Sequence, residues 1–211
     1  MEEHKIVKTG TTTVGIVCKD GIVLAGDRRA TAGYVVMKNA KKVVPINHNM
    51  AVTTAGNVSD IQLLVKLAKA EMVLKDLQSK RKSTVKEIAN LFGGMLYSNI
   101  RKPSMIPGIA AFLLGGSDIK GTHLFSLDPD GSVIEIDEYV TDGSGSVFAI
   151  GVMEAQYKKG LSLQEGVKLA VTAINASIQR DTASGNGIDV LTITDKGMEF
   201  VIEQKIETNL A

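Results

Sequence analysis

The chain has 211 residues, of which 44% are hydrophobic and 22% are charged, values typical of a globular protein with one well-buried domain. Its 24 basic and 23 acidic residues nearly cancel, which gives no support to binding of nucleic acid or of an anionic membrane. The single cysteine, Cys18, excludes an internal disulfide and a cysteine-rich metal site. No apolar run approaches the roughly 20 residues of a transmembrane helix, and residues 1–10 lack the apolar region of a signal peptide, so we expect a cytoplasmic protein.

The N-terminal third predicts β-strands. The runs "TTVGIVCK" and "GIVLAGDR" are joined by Asp20-Gly21, a dipeptide favoured in two-residue hairpin turns. Apolar residues occupy nearly every position of these runs, and the same holds for "YVVM", "KKVVPI" and "MAVTTAG". Strands of this kind are covered on both faces.

Two helices are predicted next. Ser59 and Gln62 have the spacing of a capping box, as do Thr84 and Glu87 before "IANLFGGMLYSNI". After the first box, apolar residues recur at helical spacing, at Ile61, Leu64, Leu67, Ala68 and Met72.

The second half repeats the order of strands followed by helices. "GIAAFLLGG", "THLFSLD" and "SVIEID" predict strands, with a turn at residues 128–131. Helices are predicted at "SVFAIGVMEAQY" and after a capping box at Ser162 and Glu165, and "GIDVLTITDKGMEFVIEQKI" predicts a final hairpin. Two antiparallel sheets, each with helices on its outer face, satisfy this order in one domain, so the predicted fold is an α/β four-layer α-β-β-α sandwich.

Metal-dependent and histidine-dependent chemistry have little support. His4, His48 and His123 have no second ligand at the close spacing of a zinc site. Neither a "GxSxG" motif nor a phosphate-binding glycine loop occurs, although a dispersed Ser-His-Asp triad stays open. We therefore expect no metal ion and no cofactor.

The stretch "KTGTTTVGIV" offers another candidate, Thr11. A threonine run at the start of a strand is usually a matter of β-propensity alone. Cleavage of the Gly10–Thr11 bond would instead make Thr11 an N-terminal residue. Further polar residues stand at predicted strand and helix ends, where an ion pair, a helix cap or a turn would explain each one singly: Asp27, Lys42, Ser144, Asp181 and Ser184.

Taken together, the motifs indicate a family. "TGTTTVG", "AGDRR", "KK" before an apolar run, "TAG", "GSGS" and "RDxxSG" occur in the order and rough spacing of proteasome β subunits. From about residue 8 to residue 200 the sequence resembles the archaeal type of β subunit. The resemblance implies an N-terminal nucleophile hydrolase fold, with a prosegment at residues 1–10 and one catalytic domain at residues 11–211.

The resemblance also implies roles for single residues. Thr11 would be the nucleophile once the chain has cleaved its own Gly10–Thr11 bond, and its new α-amine, titrating at about pH 8, would serve as the base. Lys42 would lower the pKa of the Thr11 hydroxyl or accept its proton, and Asp27 would hold Lys42 in place. The α-amine and a nearby water would be oriented by Asp181, Ser184 and Ser144.

Substrate contacts follow from the same resemblance. The Gly56 amide would donate to the developing oxyanion, and Gly56 and Thr31 would pair with an extended substrate backbone. The stretch after Asp27 is one residue shorter than in the family, so Lys41 is an alternative to Lys42. Small side chains would line a pocket that suggests cleavage after hydrophobic residues: Ala30, Ala40, Val44, Thr54 and Val58.

Gly10 fits a processing site, because glycine tolerates the strained backbone that self-cleavage requires. Since the sequence retains residues 1–10, we expect the full-length chain to be an inactive precursor. The implied partners are α subunits, other β subunits in stacked seven-membered rings, unfolded polypeptides and, indirectly, an ATP-dependent unfoldase. Alternative functions are a non-catalytic ring subunit, a bacterial-type two-ring protease and an amidase that acts on a small molecule.

Overall fold

The structure is a computed structural model that describes residues 10–206. Residues 1–9 of the predicted prosegment, His4 among them, lie outside the described residues. The described chain contains these elements in order: β1 Thr13–Cys18, β2 Gly21–Asp27, β3 Ala30–Thr31, β4 Val35–Met37, β5 Val43–Pro45, β6 Met50–Gly56, α1 Val58–Ser79, α2 Val85–Ile100, β7 Ala110–Asp118, β8 Gly121–Leu127, β9 Val133–Glu135, β10 Tyr139–Asp142, α3 Ser146–Gln156, α4 Leu163–Arg180, β11 Gly187–Thr194 and β12 Gly197–Lys205.

Two five-stranded antiparallel sheets form the centre of the fold. The first has the strand order β10-β1-β2-β11-β12 and the second has the order β5-β6-β7-β8-β9, while β3 and β4 form a separate two-stranded ribbon. Helices α3 and α4 cover the first sheet, and α1 and α2 cover the second. The predicted four-layer α-β-β-α sandwich is therefore confirmed.

Three apolar layers explain the continuous hydrophobic runs. Along β2, Ile22 and Leu24 face the second sheet, whereas Val23 and Ala25 face the helices α3 and α4. Both kinds of position are fully buried, as predicted for strands covered on both faces. The prediction is wrong for β4, whose three residues are exposed because its ribbon belongs to neither sheet.

The predicted capping boxes have different outcomes. Those at Thr84 and Ser162 are present, each with the reciprocal hydrogen bonds to a glutamate three residues later. The box at Ser59 is wrong, because β6 ends at Gly56 and α1 begins directly at Val58. Ser59 therefore already lies in the first helical turn. Leu67, one of the apolar residues that recur at helical spacing in α1, is 44% exposed.

Two details of the first sheet differ from the prediction. The β1–β2 hairpin turn is formed by Lys19 and Asp20, and Gly21 pairs with Cys18 as the first residue of β2. The edge strand β10 was not predicted, and it pairs with residues 13–16 of β1. Cys18 is a core residue as expected, and burial together with the nearby Asp20 and Glu165 raises the pKa of its thiol to about 12.

Among the helices of residues 10–206, none combines the length and the apolar composition that a bilayer-spanning helix requires.

Packing between the two sheets predicts a large stability effect for Leu24→Ala. Leu24 is fully buried between the sheets, so we expect the free energy of unfolding to fall by about 2–5 kcal/mol, as for other large-to-small core substitutions. Urea denaturation of the purified chain measures this change. Leu77→Ala is the matched control, since Leu77 is 70% exposed and should change stability by less than about 0.5 kcal/mol. Equal stabilities of the two variants would contradict the packing described here.

Candidate active site

The candidate site lies where the chain enters the first sheet. Thr11 and Thr12 directly precede β1, and both are buried. Their side chains take different partners, as alternation along an extended chain requires. The Thr11 hydroxyl donates to the Gly10 carbonyl oxygen at 2.7 Å, whereas the Thr12 hydroxyl lies 2.7 Å from the Ser184 hydroxyl.

A buried ion pair stands beside Thr11. Asp27, the last residue of β2, is fully buried, and its Oδ1 lies 2.6 Å from Nζ of Lys42, which precedes β5. The Lys42 ammonium also donates to the Gly10 carbonyl oxygen at 3.1 Å. The structure thus brings Thr11, Asp27 and Lys42 together from separate parts of the chain.

Burial and charge act in opposite directions on Lys42. Removal from water lowers the pKa of Lys42 and is the dominant effect, while the charge and hydrogen bond of Asp27 oppose it. The net pKa lies below the ordinary value for lysine. A lysine in this state is better able to exchange a proton than a solvated one.

Lys41 points elsewhere. Its Nζ forms an ion pair with Glu203 at 2.8 Å, lies 5.9 Å from the centre of the Phe200 ring, and its side chain is 60% exposed. Lys42 rather than Lys41 is therefore the lysine that contacts Asp27 and Gly10.

A second polar group approaches Thr11 from the other side. Asp181 caps the C-terminus of α4, and its Oδ2 accepts hydrogen bonds from Ser144 and Ser184, both at 2.6 Å. The Ser144 hydroxyl has one proton, which the short bond to Asp181 occupies, so its lone pairs are free to accept the Thr11 amide at 3.2 Å. The three predicted residues form one hydrogen-bonded group next to the Thr11 nitrogen.

These hydrogen bonds also set the ionisation of Asp181. Partial burial acts to raise the pKa of its carboxyl, but the bonds from Ser144, Ser184 and the Ala183 amide outweigh it and leave the pKa lowered. Asp181 therefore stays ionised at neutral pH and keeps accepting both hydroxyl protons.

Gly10 is held tightly against its surroundings. Its amide donates to the Thr31 hydroxyl at 2.8 Å. A Cβ at this position would come within 1.8 Å of the Ala183 Cβ, so only glycine fits without movement of the chain. Close approach is thus a steric reason for glycine before Thr11, in addition to the conformational one expected from sequence.

An open cleft of about 460 Å³ begins at Thr11. Its lining includes all of the residues predicted to contact substrate: Ala30, Thr31, Ala40, Val44, Thr54, Gly56 and Val58. Gly56 adopts a φ of +113°, and a Cβ there would meet the Ile109 carbonyl oxygen at 2.3 Å. The cleft is mainly apolar, and Lys41, Lys66 and Lys69 also contribute to its lining.

The chain is similar in sequence to known proteins. The sequence profile of the family described as "Proteasome subunit" matches residues 7–193. The chain belongs to the proteasome subunit family. It is 43% identical to the proteasome subunit beta of Ferroglobus placidus, over 98% of this chain and 97% of that protein. It is also 43% identical to the proteasome subunit beta of Archaeoglobus fulgidus and 45% identical to the proteasome subunit beta 2 of Pyrococcus abyssi, with at least 95% of each chain covered.

The site of this proteasome subunit includes a residue that the sequence analysis missed. The Arg29 guanidinium donates to the Thr182 carbonyl and to the Asn186 side chain, both at 2.8 Å, and so holds the loop that carries Ser184. The Arg29 amide also donates to Asp27 Oδ2 at 2.9 Å. The arginine doublet in "AGDRR" was the available signal, but a charged pair after a strand usually indicates a solvated surface.

The ion pair predicts how Asp27→Asn alters Lys42. Removing the carboxylate charge leaves burial without its main opposing effect, so we expect the pKa of Lys42 to fall further. A pH titration of the ¹³Cε resonance of Lys42, assigned with the Lys42→Arg variant, measures the change. Glu203→Gln removes the partner of Lys41 instead and should leave the Lys42 titration in place. An unchanged or higher Lys42 pKa in Asp27→Asn would contradict the described coupling.

Proposed function

We propose that this proteasome subunit is a catalytic β subunit, a threonine-type endopeptidase that uses Thr11 as its nucleophile after self-cleavage of the Gly10–Thr11 bond. One observation carries the proposal. The Gly10 carbonyl oxygen accepts hydrogen bonds from both the Thr11 hydroxyl and the Lys42 ammonium, at 2.7 and 3.1 Å. The Thr11 hydroxyl and the buried Lys42 ammonium thus both contact the carbonyl oxygen of the peptide bond that would be cut.

The contacts support the following chemistry. Thr11 Oγ1 gives its proton to a water molecule and attacks the Gly10 carbonyl carbon, and the positive charge of Lys42 stabilises the oxygen as it becomes negative. The bond to the Thr11 nitrogen breaks as that nitrogen takes up a proton, which leaves an ester that water hydrolyses to release residues 1–10. The freed α-amine is then the base for the same attack on a substrate peptide bond.

The second polar group supports the role of the α-amine. The Thr11 nitrogen already lies 3.2 Å from the Ser144 hydroxyl, which is bonded to Asp181. After cleavage these two side chains would hold the amine, and Ser184 would fix Asp181 through its own bond at 2.6 Å. In the cleft, the Gly56 amide would donate to the oxyanion of a bound substrate, and Thr31, relieved of Gly10, would bind its backbone.

Assembly belongs to the same proposal. We expect the chain to form seven-membered β rings stacked between rings of α subunits in the cytoplasm, to degrade unfolded polypeptides, and to receive them from an ATP-dependent unfoldase. Family membership supports assembly with other proteasome subunits. Long apolar side chains on the outer surface of α1 are consistent with burial by neighbours: Leu63, Leu67, Val73, Leu74 and Leu77.

The lining of the cleft predicts a preference among peptide substrates. Its apolar walls favour a hydrophobic residue before the cleaved bond, and its lysines disfavour a positively charged one. We expect assembled particles to hydrolyse fluorogenic peptides ending in leucine faster than those ending in glutamate, and both faster than those ending in arginine. The ratio of kcat/KM values measures the order. Fastest cleavage after arginine would contradict the assignment of this cleft as the substrate pocket.

Intact mass measurement tests the proposed nucleophile. The full-length chain, combined with the α subunit encoded in the same genome, should lose residues 1–10 and begin at Thr11, and peptidase activity should appear with this loss. Thr11→Ala should assemble yet keep its full mass, because it lacks the attacking hydroxyl. Thr11→Ser, which retains a hydroxyl, should still be processed.

The opposite result has a defined meaning. If the wild-type chain assembles into rings and keeps its full mass, Thr11 is never freed. The chain would then be a non-catalytic ring subunit.

A further inference from the structure

Thr12 has contacts that the roles proposed above do not explain. It is fully buried, and its side chain faces away from the cleft, toward Gly145 and Ser184. Its amide donates to Asp27 Oδ1 at 2.9 Å, and its carbonyl oxygen accepts the Asp27 amide at 3.1 Å. Its hydroxyl lies 2.7 Å from the Ser184 hydroxyl.

The direction of the hydroxyl bonds follows from the carboxylate at their end. Ser184 donates its single proton to Asp181 Oδ2 at 2.6 Å, so its oxygen accepts from Thr12. Asp181 Oδ2 also accepts from Ser144, whose oxygen accepts the Thr11 amide. The Thr12 hydroxyl and the Thr11 nitrogen are therefore the donors at the two ends of a series of hydrogen bonds that converges on Asp181 Oδ2.

The absence of a side chain at Gly145 leaves room for the Thr12 hydroxyl. A Cβ at Gly145 would come within 2.0 Å of Thr12 Oγ1, so the glycine makes the close approach possible. A buried strand threonine commonly bonds to a nearby carbonyl, as Thr192 does with Glu199 at 3.4 Å. Thr12 differs because its bond reaches a side chain that touches Asp181.

Thr12 also connects the two polar groups of the site. Asp27 Oδ1 accepts both the Thr12 amide and the Lys42 ammonium, so the backbone of Thr12 fixes the ion pair while its side chain fixes Ser184. The amide of Thr12 thus reaches the Asp27 carboxylate directly, and its hydroxyl reaches the Asp181 carboxylate through Ser184.

From these contacts we infer that Thr12 is a positioning residue of the reaction, which orients Ser184 and Asp181 and through them the α-amine of Thr11. The inference rests on the proposed function, since it assigns Thr12 a part in that same chemistry. Thr12 and Ser184 are buried, so the hydrogen bond between them strengthens the one that Ser184 donates to the partly buried Asp181. Loss of the Thr12 hydroxyl therefore weakens the hold on Asp181 without removing any group that touches substrate.

The experiment compares processed, assembled particles that carry Thr12→Val, Thr12→Ser or Thr192→Val. Valine matches threonine in shape and lacks the hydroxyl. We expect Thr12→Val to reduce kcat by about threefold to tenfold, the effect of one lost hydrogen bond, with KM unchanged because the side chain faces away from the cleft. Thr12→Ser should restore kcat to within about twofold of the wild-type value, and Thr192→Val should match the wild type.

Two results overturn the inference. One is a wild-type kcat for Thr12→Val. The other is an equal loss in Thr12→Ser and Thr12→Val, which would mean that side-chain shape rather than the hydroxyl matters. If Thr12→Val does not assemble, Thr12→Ser and Thr12→Ala replace it, because both lack the methyl group and they differ only in the hydroxyl. A slower Thr12→Ala then supports the inference, and equal rates overturn it.

The wild-type chain separates this test from that of the proposed function. If wild-type rings are processed and active while Thr12→Val behaves as the wild type, only the role of Thr12 is lost. If wild-type rings are never processed, the proposed function fails, and the role of Thr12 fails with it.

Discussion

The buried pair of Lys42 and Asp27 is the interaction on which the rest of the site depends. An ammonium or a carboxylate at this depth is destabilising by several kcal/mol unless it is paired and its remaining hydrogen-bonding positions are filled. Asp27 meets this condition with four donors, which are Lys42 Nζ and the amides of Thr12, Arg29 and Gly185. Satisfying one carboxylate therefore fixes the entry to β1, the end of β2 and the loop before β11 relative to one another.

Local sequence was sufficient to predict those elements whose structure is decided by local interactions. The capping boxes at Thr84 and Ser162 need only residues three positions apart, and the continuous apolar run of β2 already requires cover on both faces. Prediction from sequence was wrong or incomplete where tertiary packing decides the structure. Val35–Met37 has the composition of a buried strand but lies on a ribbon outside both sheets, and the half-buried edge strand Tyr139–Asp142 lacks the apolar run of a central strand.

The same distinction between local interactions and tertiary packing applies to the candidate site. The sequence alone identified each polar side chain at a strand or helix end as a candidate site residue. The structure brings Thr11, Lys42 and Asp181 into one region of the molecule. The choice between two adjacent lysines needed the orientation of their side chains, because neighbours on an extended chain face opposite ways. The contacts of Arg29 and Thr12 connect segments more than 150 residues apart and have no local pattern from which to predict them.

The glycines of "GSGS" allow close approach of the chain as well as loop flexibility. A Cβ at Gly143 would lie 2.2 Å from the Thr11 carbonyl oxygen, just as one at Gly145 would meet the Thr12 hydroxyl. The loop surface is thus complementary to two successive residues of the incoming strand. A one-residue slip of that strand would exchange the faces of the two hydroxyls. The loop is consequently complementary to the observed starting register of β1 and not to a register shifted by one residue.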